Sequence, residues 1–464
     1  MKPALIAHCR AGFEAEAAAD LVEVAAAAGT SLDIDTAQGQ AFVVAHPSYW
    51  DAARWARCLD TTPPVFVRSL FVGSGPHQLF DPATAKGRPD RVALLLPHIE
   101  TLREMRTGTS LATPPADLFV ETPDTNDGKE LTGLCRAIAE PLADALRERG
   151  WLAGENRELG FAAPAQPQAS RLHVLFADGA HAYVGTSATT WGSAWPMGIP
   201  RLKMPHGAPS RSAMKLAEAF LVFLGDRADT LLRPAMHAVD LGAAPGGWTW
   251  QLAHRGLKVV AVDNGPLKGE VAEDPLVTHL RTDGLSYHPR RPVDWLVCDI
   301  ADQPARIASL IARWMAHGDA RRAIFNLKLP MKKRWDEVQR CRDIIDETLG
   351  RAGVRYTLAL RQLYHDREEI TGYCTIDHSL LKPPGGPKPS AGKSPSRSTK
   401  PAHSRKPAHF PKPGSASKSP NSRKSRGSAK SPGATKSTGT AKSPSRGNKP
   451  RSRGNRQSGT MPRR

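Results

Sequence analysis

Residues 240–248 read Asp240-Leu241-Gly242-Ala243-Ala244-Pro245-Gly246-Gly247-Trp248, and this stretch decides the fold. It leaves a buried strand, Ala238 to Leu241, through a glycine turn and enters a helix. Glycines there let the backbone pass close to a ligand, and the N–H groups at the helix start can bond its polar atoms. A glycine turn between strand and helix is often purely steric, so the loop needs support from its neighbours.

The next strand, Lys258 to Asp263, ends in a carboxylate that can accept from both hydroxyls of a ribose. Asp283, beyond the following strand position, is placed to meet an adenine amino group. Pro245 breaks the spacing that suits a pyrophosphate, which disfavours a dinucleotide. A glycine turn with these acceptors suits S-adenosylmethionine, which carries an adenosine and no phosphate.

Downstream, strands fit Trp295 to Asp299, Ala323 to Leu327, Tyr356 to Gln362 and Glu369 to Thr375, with helices between them. Alternation of this kind argues for an α/β domain with a doubly wound, mainly parallel sheet over 205–380. Ligands lie at the carboxyl ends of such strands. Asp299 and Lys328 stand at those ends, Glu369 opens the last strand, and Lys215 starts the helix before the sheet. One such charge is commonly a surface ion pair, but four at one sheet edge suggest a site.

A ribose hydroxyl is a poor nucleophile, so methyl transfer to it benefits from a base, and Lys328 is the candidate. A free lysine, with a pKa of ~10.4, is mostly protonated; desolvation and the like charge of Lys215 would favour the neutral amine. Asp299 would orient Lys328, and Glu369 would hold Lys215 or the ribose. Methylation of a base amino group usually uses Asn or Asp followed by Pro-Pro and an aromatic residue, whereas Ile300-Ala301-Asp302 follow Asp299. Cytosine carbon methylation needs a nucleophilic cysteine after that carboxylate; Cys298 precedes it and reads as core.

Upstream, 1–62 reads as strand (Ala4 to His8), helix (Gly12 to Ala28) and strand (Gln40 to Ala45). Residues 63–190 hold a helix from Asp127 to Arg149 and a hairpin turning at Asp178-Gly179. Neither segment shows a catalytic cluster.

Charge is distributed unevenly. The formal +19 rests on 64 Lys and Arg against 45 Asp and Glu, and 22 of the bases, with no acid, fall in 382–464, leaving 42 against 45 elsewhere. That Pro/Ser/Lys/Arg-rich tail cannot bury enough apolar surface to order and reads as disordered, able to bind polyanions without choosing sequence. In the near-neutral remainder, RNA contact must come from local clusters: Lys332-Lys333-Arg334 beside Lys328, and Arg201 and Lys203 with Trp191 and Trp195. Those tryptophans could equally pack an interdomain seam.

Six scattered cysteines give no zinc or disulfide pattern, so no metal site is expected. No apolar run approaches the ~18 residues of a membrane span, and a cytoplasmic protein is the default.

Asp240 to Gly247, Val262 to Pro266, Phe325 to Lys333 and Arg361 to Glu369, with Gly198 to Lys203 and Ala208 to Ser212, resemble the RlmM family of bacterial 23S rRNA 2′-O-ribose cytidine methyltransferases. The resemblance covers about residues 1–380. It implies a monomer with a ferredoxin-like domain (1–62), a THUMP RNA-binding domain (63–190) and a Rossmann-like methyltransferase domain (205–380). It implies a tetrad of Lys215, Asp299, Lys328 and Glu369, with Lys328 as proton acceptor. The implied cofactor contacts are Ser210, Ala244, Pro245, Gly246, Gly247, Asp263, Asp283 and Asp299. The implied substrate is a cytidine of the peptidyl-transferase loop in 23S rRNA, modified before the large subunit is assembled. Ala217 stands where the family more often has Glu, and the tail lies outside the pattern. The competing reading is an rRNA-binding assembly factor that keeps the fold without activity.

Overall fold

The computed structural model describes residues 3–104, 113–153, 169–188 and 191–376. The basic segment 382–464, expected from its composition to be disordered, lies outside the described residues. The described residues form one compact unit containing two seven-stranded sheets.

The first sheet uses β1 (Ala4–His8), β2 (Leu32–Asp35), β3 (Phe42–Pro47), β4 (Ser69–Gln78), β5 (Asp117–Glu121), β6 (Ser170–Phe176) and β7 (His181–Ala188), in the order β2-β3-β1-β4-β7-β6-β5. Strand β4 joins the two N-terminal segments: Ser69 to Gly73 pair with β1, and from Val72 onward the strand pairs with β7. The hairpin β6–β7 closes at Asp178-Gly179 as its sequence predicts, with the Asp178 carboxylate accepting from the backbone of Ala180 and His181. The helix expected over Asp127 to Arg149 is instead two, Asn126–Glu130 and Thr132–Glu148, the first capped by the Thr125 hydroxyl on Gly128 N.

The second sheet comprises β8 (His237–Leu241), β9 (Lys258–Val262), β10 (Val277–Leu280), β11 (Val293–Cys298), β12 (Ala320–Lys328), β13 (Tyr356–Arg361) and β14 (Glu369–Ile376). Its order is β10-β9-β8-β11-β12-β14-β13. The first five run parallel, and β14 inserts antiparallel between β12 and β13. The order reverses at β8, where a crevice opens beyond the strand ends. Central strands are apolar on both faces because helices cover both: Leu296 and Val297 of β11 and Ala323 and Ile324 of β12 are fully buried. The amphipathic helix Pro304–His317 packs Ile307, Leu310, Ile311 and Trp314 onto one face, and Gly318 ends it in the left-handed conformation.

Candidate active site

Three strand ends and a helix meet at the crevice. Asp299 follows β11, Lys328 ends β12, Glu369 opens β14, and Lys215 comes from the short helix Ala213–Ala219. Lys328 Nζ lies 2.5 Å from Asp299 Oδ1, Lys215 Nζ lies 3.9 Å from Asp299 Oδ2, and Lys215 bonds directly to Glu369. The structure therefore brings all four residues of the sequence-derived tetrad together, with one carboxylate between two amines.

Burial pulls the Lys215 pKa down, but Asp299 and Glu369 more than reverse this, and the amine ends above the usual lysine value. Lys215 is thus a fixed ammonium. Lys328 is half-buried beside Asp299, its side chain 28 % exposed. A strand end facing the crevice is open to solvent by construction.

Three residues escape a reading of the sequence alone. Asn326, two positions before Lys328 and so on the same face of β12, donates to Asp299 Oδ1 at 3.0 Å. Thr371 in turn donates to Asn326 Oδ1 at 2.9 Å and sits 2.9 Å from a carboxylate oxygen of Asp366, whose pKa burial drives well above the ordinary carboxylate value. One signal could have found them: Asn326 is a polar residue inside an otherwise apolar strand.

The glycine loop lies alongside. The Asp263 carboxylate accepts from Ala244 N at 3.0 Å and Gly265 N at 2.7 Å, which fixes the loop and leaves lone pairs for further donors. Gly246 has φ +111°, a conformation that favours glycine. A Cβ on Gly247 would collide with the hydroxyls of Ser210 and Ser212, so the serine turn closes directly on the helix start. Trp248 Nε1 bonds Ser212 O at 3.0 Å and holds the two together. Asp283 is exposed and caps its own turn through Leu285 N, while a Cβ on neighbouring Gly284 would lie 3.7 Å from Gly242 N, so this loop borders the glycine loop.

At the base of the loop, Asp240 is fully buried and among the described residues its Oδ1 has no hydrogen-bond partner. Burial raises its pKa to about 7 against the opposing bond from the Thr249 hydroxyl. Cys298 is fully buried, and burial pushes its thiol up to about 12, so it is a core residue with no nucleophilic character.

The basic cluster near Lys328 divides in two. Lys332 and Lys333 are open to solvent, as is the preceding Met331, which is 88 % exposed. Arg334 instead binds Glu368 at 3.0 Å and Gly12 O at 3.1 Å and lies 4.1 Å over the Phe13 ring. It joins the first sheet's layer to the catalytic sheet and is not free for phosphate. Arg201 and Lys203 are exposed.

Family models match three successive segments: the RlmM ferredoxin-like domain at 1–71, the N-terminal part of ribosomal RNA large subunit methyltransferase M at 90–188, and the FtsJ-like methyltransferase at 208–313. A ribosomal RNA large subunit methyltransferase M from Methylococcus capsulatus is 47 % identical over 371 residues, spanning 80 % of this chain and 97 % of that protein. The chain belongs to the ribosomal RNA large subunit methyltransferase M family. Relatives of the same name from Cellvibrio japonicus and Azoarcus are 44 % and 43 % identical, over 99 % and 96 % of their lengths.

As a member, the chain is a methyltransferase whose cofactor is S-adenosylmethionine. The residues present fit that cofactor. The loop closes too tightly at Gly247 for any side chain, Pro245 offers no N–H to a phosphate, and the Asp263 carboxylate beside the loop keeps lone pairs for further donors. Among the described residues, no helix is long and apolar enough to cross a membrane.

Proposed function

We propose that the chain methylates the ribose 2′-hydroxyl of a cytidine in the peptidyl-transferase loop of 23S rRNA, acting as a monomer in the cytoplasm on RNA not yet assembled into the large subunit. The observation that supports it most is the Asp299 carboxylate held between the amines of Lys328 and Lys215.

Bound S-adenosylmethionine supplies an electrophilic methyl group. Lys328 Nζ accepts the proton leaving the ribose hydroxyl, and Asp299, 2.5 Å away, stabilises the ammonium so formed. Asn326 fixes the Asp299 carboxylate, and the Lys215 ammonium, held in place by Glu369, lies beside the developing alkoxide. Ser210, Ala244 to Gly247, Asp263 and Asp283 line the cofactor side. Residues 63–190, as a THUMP domain, and the exposed Lys332 and Lys333 contact the RNA backbone.

Unmodified 23S rRNA incubated with a labelled methyl donor, then digested to nucleosides, tests this reading. Label in 2′-O-methylcytidine supports it. Label on a base overturns the ribose chemistry, and none at all favours the silent assembly factor.

A further inference from the structure

Between the first sheet's layer and the catalytic sheet lies a cavity of about 690 Å³ whose wall includes Arg57, Arg68, Trp191, Trp195 and Tyr364. None of these belongs to the tetrad or to the glycine loop. The volume is within the ~300–1,000 Å³ of small-ligand sites.

Arg68 is the unusual member. Its side chain is only 3 % exposed; Nη1 binds Asp124 at 3.0 Å, but among the described residues Nε and Nη2 have no hydrogen-bond partner. A buried guanidinium with two idle donors is costly to keep, and native interiors rarely keep one without a partner. Those two N–H groups form one edge of the planar fork, which matches two oxygens of a phosphate; both nitrogens are shut off from solvent, so a phosphate meets them only once the side chain turns into the cavity. The guanidinium carbon sits 5.6 Å from the centre of the Tyr364 ring. Trp191, Trp195 and Tyr364 are half-buried and all three line the cavity. Aromatic faces beside a cation are the pairing that takes a base and its phosphate together.

The cavity and the reacting centre are built on shared elements. Glu218 lines it and accepts from Tyr364 N at 2.8 Å and His365 N at 2.9 Å. Three residues before Glu218 on the same helix stands Lys215, about 4.5 Å away along the axis. Five residues after Tyr364 stands Glu369. The same short loop and the same helix therefore serve both places.

We propose that this cavity is a nucleotide subsite: it takes one nucleotide of the RNA substrate next to the methylated one, its base stacked on Trp195 and its phosphate reached by the Arg68 side chain. The proposal rests on the reading that RNA is the substrate. The subsite fixes which nucleotide presents its ribose to Lys328, and its contribution is to binding.

Two measurements on the full chain test it. Ultraviolet crosslinking to unmodified 23S rRNA is done with S-adenosylhomocysteine, so that it does not depend on turnover, and adducts are mapped by mass spectrometry. Nucleotide adducts are expected on Trp191, Trp195 or Tyr364. In the second, Trp195→Ala raises KM for the RNA about tenfold, the scale of one base stacked on an aromatic ring, with kcat and cofactor affinity unchanged; Trp195→Phe restores KM. Should Trp195→Ala fail to bind cofactor, and so to fold, the crosslinks and the Trp195→Phe variant decide. Absence of adducts from all three rings overturns the subsite, as does a KM within twofold of wild type in a folded Trp195→Ala. Free cytidine monophosphate labelling these rings while RNA crosslinks only elsewhere overturns it too. Wild-type protein that crosslinks at these rings yet transfers no methyl would instead count against the catalytic reading alone.

Discussion

Lys328 and Glu369 are directly opposed residues, the last pair of the antiparallel β12–β14 ladder. Opposed residues share a face of the sheet, so the pairing that builds the edge also delivers an amine and a carboxylate to one side of it. Two pairs earlier, Asn326 opposes Thr371 on that same face, and the two are hydrogen-bonded. The antiparallel insertion of β14 is thus what assembles half of the tetrad. A one-residue slip would turn Lys328 and Asn326 to the opposite face together.

Lys215 is predicted to stay charged through every pH at which the enzyme is assayed. Its pKa is raised in the folded chain, so its charge stabilises the fold fully below the ordinary value of 10.5 and ceases to do so only as pH rises through the raised value. Lys215→Met should therefore lower Tm by the same amount at pH 7 and pH 9. Thermal melts in which the gap closed between those values would contradict the assignment of a fixed ammonium.

Gly247→Ala should weaken the cofactor site without unfolding the domain. The new methyl meets the Ser210 and Ser212 hydroxyls, and overpacking of this kind costs about 1–3 kcal/mol. If the serine turn yields to make room, the cofactor pocket is deformed; calorimetric titration should show affinity for S-adenosylmethionine reduced roughly 5–150-fold. Unchanged affinity would mean that the serine turn is not part of the pocket.

Lys332 and Lys333 are exposed, whereas Arg334 is held by Glu368 and Gly12. Replacing both lysines with alanine should weaken RNA binding uniformly across sequences and reduce the slope of log K against log salt by about 2, one for each phosphate left without its lysine. Arg334→Ala should instead lower thermal stability. Filter-binding titrations at several salt concentrations, with melts in parallel, separate the two effects.

Charges that end apolar runs are legible in the sequence because they break a pattern. Asp263, Asp299, Lys328 and Glu369 each stand where a hydrophobic strand meets the crevice. Four strands, β2, β4, β5 and β10, received no bounds from the sequence; two of them, β2, Leu-Asp-Ile-Asp, and β10, Val-Thr-His-Leu, are four-residue edge strands. Their half-exposed patterns resemble loops until a neighbour pairs with them. Nor does local periodicity reveal that β4 joins the two N-terminal segments into one sheet, since that depends on pairing with β1 more than 60 residues away and with β7 more than 100 away. Arg334 reads as a phosphate ligand for the same reason: its partners Gly12 and Phe13 lie at the other end of the described chain.

The proton acceptor is the part of the account on which the rest depends, and a single-turnover assay tests it most directly. Wild type and Lys328→Ala are compared with saturating cofactor and saturating unmodified 23S rRNA, after calorimetry has established that both bind S-adenosylmethionine alike. Loss of a positioned base predicts a methyl-transfer rate lower by roughly 10²–10⁴-fold at unchanged cofactor affinity. A Lys328→Ala rate within threefold of wild type would contradict the assignment and require another group to take the ribose proton.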